Sequence, residues 1–241
     1  MDDYPPSSKT VALSGQMIAT SSGRASISTT AMASMIYNQG AERFSKVAKT
    51  LDDESVFNAA GEVERNRIAT ELQETSLAAV IMASLAVEAA VNELFLDHEL
   101  FGRSIWFKGI PDDVAKALSG AFDTEVDTYP TMVKCQIALA IAGKSRLDFG
   151  RGAAQEMRLL IELRNALVHH RPVTVAHGNP PHESKDLVER QLAKRFSLAK
   201  IFGNTAPFRW RGCLGAGCAE WATKTSKGFQ KEFFDQLGAI S

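Results

Sequence analysis

Three polar side chains near the end of one predicted helix have the types and the spacing for acid–base chemistry on a phosphodiester. Arg164, Asn165 and His169 lie in the segment MRLLIELRNALVHHRP, which begins at Met157 and ends at Pro172. An imidazole with an ordinary pKa of about 6.5 exchanges a proton near neutral pH. A guanidinium stabilises negative charge that develops on phosphate oxygens, and the amide of Asn165 would orient the phosphate or the imidazole.

Apolar residues that recur at helical spacing predict the helix that carries these side chains. Met157, Leu160, Ile161 and Val168 fall on one face, as in a helix that packs against a core. Arg164 lies on the same face, where a guanidinium is stable only if acceptors meet it. The pattern therefore predicts that Arg164 is either paired with a carboxylate or used in function.

The expected partner of Arg164 is Glu88. A long helix is predicted to run to about residue 97, and Glu88 lies in its apolar stripe. Glu93 and Glu162 are competing partners, but each lies away from the relevant face. Removing one member of a buried Glu88–Arg164 pair is expected to cost on the order of 3–5 kcal/mol.

An interpretation without catalysis accounts for the same residue types. Arg164 can be a structural ion-pair residue, while His169 and His170 can cap the negative end of a helix dipole. In the functional interpretation, His170 and Arg171 instead extend the polar group at the helix end. The residues alone leave both interpretations open.

The interval of Arg164, Asn165, three residues and His169 resembles the Arg-polar-x-x-x-His signature of HEPN domains (higher eukaryotes and prokaryotes nucleotide-binding). These domains are all-helical and include many ribonucleases. The order of predicted helices is similar as well, because SLAAVIMASLAVEAAVNELF and VKCQIALAIAG precede the motif helix. The resemblance covers roughly residues 77–172 and implies a mainly α fold, a HEPN-like helical bundle.

The resemblance also implies a function and partners. It suggests a metal-independent endoribonuclease with Arg164, Asn165 and His169 as catalytic residues and with no cofactor. Such enzymes pair two motifs across a homodimer cleft, where Glu88 would hold the guanidinium at the cleft edge. It further suggests a toxin or anti-phage defence effector that acts on RNA and is controlled by a protein antitoxin or regulator. The alternative is a noncatalytic HEPN-like module for dimerisation or for nucleotide or protein binding.

Charge is distributed unevenly along the chain. Residues 129–241 carry 17 basic and 9 acidic side chains, whereas residues 51–128 carry 5 basic and 16 acidic ones. The basic part includes Lys144, Arg146 and Arg151, which form a loop just before the motif helix. This loop is either a contact for a nucleic-acid backbone or solvated surface, and the charged segments either attract a phosphate ligand or neutralise one another.

The chain is predicted to be one domain over residues 1–241. Residues 1–29 are expected to form a small N-terminal hairpin or an extended arm. Residues 62–172 are expected to form the HEPN-like core, and residues 173–241 a helical extension that packs on it.

Several local features are predicted within this frame. Two short strands at 10–13 and 16–20 would flank a turn at Ser14–Gly15. The first helix is expected to break or kink near Gly40, because glycine weakens a helix interior. After the motif, a helix is expected over residues 184–202.

Cysteine usage and hydropathy suggest a cytoplasmic protein. Three scattered cysteines and a polar beginning do not indicate disulfides or a signal peptide, and the longest uncharged apolar run, residues 75–87, is shorter than the ~20 residues that a membrane span needs. No metal site is expected from Cys213 and Cys218 with His177 and His182, since their spacing differs from that of structural zinc sites. A glycine cluster over residues 203–217 could cradle an anion but is more typical of a tight turn.

Overall fold

The chain is mainly α-helical, which confirms the predicted fold class. The computed structural model describes residues 14–19, 25–30, 32–101, 107–122, 126–169, 187–205 and 212–239. Its elements are β1 (Ser14–Ala19), β2 (Ala25–Thr30), α1 (Ala33–Leu51), α2 (Glu54–Ala59), α3 (Glu62–Phe101), α4 (Asp112–Phe122), α5 (Thr131–Ile141), α6 (Gly152–Val168), α7 (Leu187–Leu192) and α8 (Ala216–Leu237). Short 3-10 turns occur at Val126–Thr128 and Lys200–Thr205.

The long helix α3 is the centre of the bundle. It has 40 residues and is therefore about 60 Å long. Small side chains let its neighbours approach closely, and four of them are buried: Ala79, Ala83, Ala86 and Ala90. Gly40 of α1 lies at this contact, because a Cβ on it would come 3.4 Å from the sulfur of Met82. The predicted break at Gly40 is wrong: α1 is continuous, and the glycine serves helix packing.

The directions of the main helices follow from side-chain contacts between them. Glu93 of α3 accepts hydrogen bonds from the backbone N–H and the hydroxyl of Ser34, at the start of α1. Asn38 of α1 and Gln230 of α8 exchange two side-chain hydrogen bonds of 3.1 Å. The beginning of α1 therefore lies at the end of both α3 and α8, and α1 runs antiparallel to the two longer helices.

Helix α6 also runs antiparallel to α8. A Cβ on Gly152, the first residue of α6, would lie 3.8 Å from a carboxylate oxygen of Glu232 near the end of α8. One turn into α6, Glu156 accepts hydrogen bonds from Trp221 of α8 and from Arg195 after α7. The far end of α6, which carries the motif, therefore points toward the N-terminal end of α8.

The last helix belongs to the core itself. Phe229, Phe233 and Leu237 of α8 are fully buried in the same cluster as Phe95 of α3 and Leu160 of α6. The last helix, which lies in the predicted extension at 173–241, therefore contributes side chains to the same interior as α3 and α6. Side chains from the first, the middle and the last helices fill one apolar interior.

The chain after α7 differs from the predicted helix over 184–202. Within the described residues, α7 ends at Leu192 and residues 193–199 are not helical. The reason is close backbone packing. A Cβ on Gly215 would lie 2.6 Å from the Cβ of Ala199, and a Cβ on Gly217 would lie 2.7 Å from the carbonyl oxygen of Ser197. The segment before α8 thus lies against two glycines, a contact that local helical propensity does not anticipate.

A two-stranded antiparallel sheet precedes α1. Ser14 pairs with Thr30 and Ala19 pairs with Ala25, so the described residues form a hairpin rather than an extended arm. The predicted turn at Ser14–Gly15 is wrong, because both residues belong to β1. The strand expected at 10–13 lies outside the described residues.

Helix α3 is also apolar for much of its length. In the described part of the chain, the stretch Glu62–Glu99 is long and apolar enough to cross a bilayer by length and composition alone, and 56% of its most apolar window is buried by protein. Core helices of water-soluble proteins meet the same criterion, so this helix by itself assigns no location.

Candidate functional site

The motif lies where α6 ends. The last helical residue is Val168, and His169 leaves the helical conformation with φ −99° and ψ 47°. Its backbone N–H still donates to the carbonyl oxygen of Asn165 over 2.9 Å. His169 therefore closes the final turn as the C-cap, and its side chain is exposed. His170 and Arg171 lie outside the described residues.

The buried face of α6 differs from the predicted stripe. Met157, Leu160 and Leu163 are buried, so the face continues through Leu163 rather than through Arg164. Val168, which was expected on that face, is 48% exposed. Arg164 is half-buried at the edge of the core. The next buried position after Leu160 is three residues later, at Leu163, and not four residues later, at Arg164.

The guanidinium of Arg164 is held by its neighbour in sequence. One terminal nitrogen, Nη1, donates a 2.9 Å hydrogen bond to the side-chain oxygen of Asn165. The inner nitrogen, Nε, is buried and has no hydrogen-bond partner within the described residues. No carboxylate is paired with Arg164 in that part of the chain. Its remaining terminal N–H groups are therefore not committed to a described partner.

The predicted ion pair between Glu88 and Arg164 is wrong. Glu88 precedes Glu93 by five residues, and Glu93 lies at the end of the bundle where α1 begins and α6 begins. Arg164 lies twelve residues into α6, about 18 Å from its start. The direction of α6 therefore carries Arg164 away from the level of Glu88.

The two competing carboxylates also have other contacts. Glu93 binds the start of α1 at Ser34. Glu162 lies 3.6 Å from Arg158, one turn earlier on α6. Arg164 therefore has an amide partner, Asn165, and no neutralising carboxylate among the described residues.

Arg164 and His169 leave the helix in different directions. Five residues correspond to about 500° of helical rotation, so their side chains diverge by roughly 140°. Asn165 is exposed and lies four residues before His169, so these two side chains are on the same side of the helix. The hydrogen bond from Arg164 to Asn165 connects the guanidinium to that side. The arrangement provides a cation that can meet a phosphate oxygen and a solvent-accessible imidazole that can exchange a proton.

The basic loop is held by side-chain hydrogen bonds and is distant from this end. The side-chain amide of Gln136 accepts from the N–H of Leu147 and donates to its carbonyl oxygen, and Gln236 donates to the carbonyl oxygen of Ser145. Lys144, Arg146 and Arg151 are exposed on this loop. Arg151 immediately precedes α6, thirteen residues or about 20 Å from Arg164. The structure therefore places the two sets of predicted residues at opposite ends of α6.

The cysteines are structural side chains. Cys135, Cys213 and Cys218 are all buried and free. Burial raises the pKa of the Cys213 thiol to about 12 and raises the pKa of Cys135 and Cys218 as well. A high thiol pKa leaves little thiolate, which is the nucleophilic form. His177 and His182 lie outside the described residues, and within those residues no group of three or more metal-binding side chains is found.

Backbone N–H groups beside the glycine cluster before α8 bind a carboxylate of the chain itself. The carboxylate of Asp52, only 5% exposed, accepts hydrogen bonds from the backbone N–H groups of Lys200, Ile201 and Ala216 at 2.7, 3.3 and 3.1 Å. Ala216 is the first residue of α8, so Asp52 occupies the positive end of that helix. Sequence analysis assigned Asp52 no role in a site; the next residue, Asp53, caps the start of α2.

A cleft that the sequence did not indicate lies between α1 and α8. Its volume is about 530 Å³, and its lining combines methionine and phenylalanine side chains with amides and lysines. Met32 and Phe234 line it, together with Asn38 and Lys227. The predicted motif residues do not contribute to it. The cleft lies at the end of the bundle where α1 begins, away from His169.

The fold and the site together define a mainly α-helical protein with a half-buried arginine and an exposed asparagine and histidine at a helix end. Models of known protein families give no match to the chain, and neither curated proteins nor solved structures give one. The HEPN resemblance therefore stays a prediction from the motif and the order of helices.

Proposed function

We propose that this protein is a metal-independent endoribonuclease of the HEPN type that acts as a homodimer. The observation that carries the proposal is the state of Arg164. Its guanidinium has no carboxylate partner among the described residues and is oriented by Asn165, one turn before the exposed His169. A guanidinium without a neutralising carboxylate can donate strong, paired hydrogen bonds to phosphate oxygens.

The reaction that suits these groups is cleavage by the neighbouring 2′-hydroxyl. The 2′-oxygen attacks phosphorus, a new P–O2′ bond forms and the P–O5′ bond breaks. His169 of one protomer takes the proton from the 2′-hydroxyl, and a second imidazole returns a proton to the 5′-oxygen that leaves. Arg164 stabilises the charge that accumulates on the non-bridging oxygens. The products are a 2′,3′-cyclic phosphate and a 5′-hydroxyl.

A count of groups supports the homodimer. Among the described residues one helix end offers one imidazole, that of His169, whereas the reaction uses an acid and a base. Two α6 ends that face one cleft would supply both, together with two guanidinium groups. A cytoplasmic toxin or defence effector, controlled by a protein antitoxin that covers this end of α6, would fit such a cleft.

The test compares histidine variants on RNA. Purified His169→Ala should lose cleavage by about 10²–10⁴-fold, the contribution of a positioned general acid or base. His98→Ala is the control for loss of an imidazole outside the site, because His98 lies on α3 and its side chain is only 18% exposed. Circular dichroism would confirm that both variants fold. Cleavage that persists in His169→Ala would exclude the catalytic role.

A noncatalytic helical module is the second candidate. It is favoured by the observation that His169 closes the last turn of α6 and that Arg164 bonds within its own helix. In that case the wild-type protein would not cleave RNA, and Arg164→Ala would change stability or dimerisation instead. Analytical ultracentrifugation and thermal unfolding of this variant would detect either effect.

A further inference from the structure

The outer face of α6 forms a continuous polar row between the two ends that the motif and the basic loop occupy. Arg151, Arg158, Asn165 and His169 are exposed and are spaced by seven, seven and four residues. Seven residues correspond to nearly two full turns, so these side chains share one face. The side chains of Arg151 and Arg158 are 85% and 45% exposed.

Positive charge exceeds negative charge along this row and the loop at residues 144–151 that precedes it. Arg146 has no hydrogen bond or ion pair in the described part of the chain. Arg151 is paired with Asp148 at 2.9 Å, and Arg158 lies 3.6 Å from Glu162. Exposed pairs of this kind are weak and screened by salt, so a phosphate can compete for both arginines. Counting also the exposed Lys144 of the loop and the exposed Glu232 beside Gly152, four cations face three carboxylates, which leaves a net positive charge.

Side-chain hydrogen bonds hold the backbone of the loop that carries Arg146. Gln136 holds the backbone of Leu147 through two hydrogen bonds, and Gln236 holds Ser145. Leu147 is itself buried and anchors the loop. A ligand that meets Arg146 therefore does not have to order the backbone of the loop first, which lowers the entropic cost of binding.

We propose that this row and the loop before it form a binding track for single-stranded RNA, with Arg146, Arg151 and Arg158 contacting its phosphates and the strand ending at His169. The inference rests on the proposed function and adds its substrate class and path. From Arg151 to His169 the row is about 27 Å long. At about 3.4 Å per stacked nucleotide, it spans roughly eight nucleotides.

Two features favour a single strand over a duplex. The cations form one line along one helix, so they follow one backbone. Cleavage by the 2′-hydroxyl also requires a linkage in which the 2′-oxygen can move in line behind phosphorus, and a regular duplex restrains that rotation. Arginine suits this role, because its planar group binds phosphate oxygens through two parallel hydrogen bonds.

The experiment measures binding separately from cleavage. A 12-nucleotide RNA with 2′-O-methyl groups cannot react, and its affinity for the full chain can be followed by fluorescence anisotropy at several salt concentrations. Each lost phosphate contact should lower the slope of log affinity against log salt by about 0.7, which is roughly fivefold in affinity at 0.1 M salt. The double variant Arg151→Ala, Arg158→Ala should therefore lower the slope by about 1.4.

Two controls set the baseline. Arg67→Ala removes an exposed arginine of α3 that is paired with Glu64 and Glu71, so it tests the loss of a surface cation elsewhere. A four-nucleotide RNA covers about 14 Å at 3.4 Å per nucleotide, half the length of the row, so it should bind the wild-type protein more weakly than the 12-mer. The track is refuted if the 12-mer does not bind, if the double variant keeps the wild-type slope, or if Arg67→Ala has an equal effect.

Failure of the track and failure of the ribonuclease proposal give different results. If the arginine variants weaken binding but unmodified RNA is never cut, the track stands and the catalytic proposal fails. If short RNA is cut in a His169-dependent way while the arginine variants bind the 12-mer normally, the catalytic proposal stands and the track fails.

Discussion

Asp52→Ala should be one of the most damaging single substitutions in this protein. The Asp52 carboxylate accepts the N–H groups of Lys200, Ile201 and Ala216 and is almost fully buried. Alanine would leave three donors without an acceptor. An orphaned buried N–H costs about 1–3 kcal/mol, and the two partly accessible donors can recover some hydration. The expected loss is about 3–5 kcal/mol, against a typical total of about 5–15 kcal/mol.

Urea unfolding followed by far-ultraviolet circular dichroism would measure this loss. Asp53→Ala is a matched control, because Asp53 is the next residue and also accepts bonds from backbone N–H groups, those of Ser55 and Val56. Asp53 is exposed and caps only the short helix α2, so its removal should matter much less. The reasoning would be refuted if Asp52→Ala lost less than ~1 kcal/mol or no more than Asp53→Ala.

Two further predictions concern the core helices. Burial raises the pKa of Glu93 although Ser34 donates to its carboxylate, so the folded state keeps this proton at pH values where the unfolded state has lost it. The stability that the protonated form contributes is complete below the unfolded pKa of about 4.5 and is lost as pH rises through the folded pKa. Glu93→Gln should therefore flatten that part of a plot of unfolding free energy against pH. An unchanged plot would contradict the assignment. Gly217→Ala should destabilise the protein by about 1–3 kcal/mol, because its Cβ would meet the carbonyl oxygen of Ser197. Gly228 lies in the same helix and has open space around it, so Gly228→Ala should instead stabilise the protein by about 0.5–1 kcal/mol. Thermal or urea unfolding would measure both variants, and equal effects would count against the packing argument.

Local patterns predicted the helices well where the chain is regular. The segment that became α3 has apolar residues on several faces, and the structure surrounds it with other helices. Residues 173–241 were predicted to pack on the core as a helical extension, and Phe229, Phe233 and Phe234 of α8 are buried there. The errors occur where distant residues decide the outcome. Residues 193–199 are not helical because they pack against Gly215 and Gly217, a contact that no local pattern records.

The candidate site was predictable in part for the same reason. The position of His169 at a helix end followed from nearby sequence. The partner of Arg164 did not, because an ion pair with Glu88 depends on the direction and level of α6 relative to α3. Glu88 and Arg164 each lie in an apolar face of a predicted helix, which suggested a pair. An apolar face, however, does not show whether two residues lie at the same height along their helices. Asp52 was missed because its partners are about 150 residues away in sequence.

The pairing of α1 with α8 has a consequence for biosynthesis. Asn38 and Gln230 are 192 residues apart, and the hydrogen bonds between them join the first helix to the last of those described. At a synthesis rate of about 5–20 residues per second, Gln230 would be made roughly 10–40 s after Asn38. During that interval the apolar side of α1 that later meets α8 lacks its partner, and a chaperone that shields it would improve the yield of folded protein.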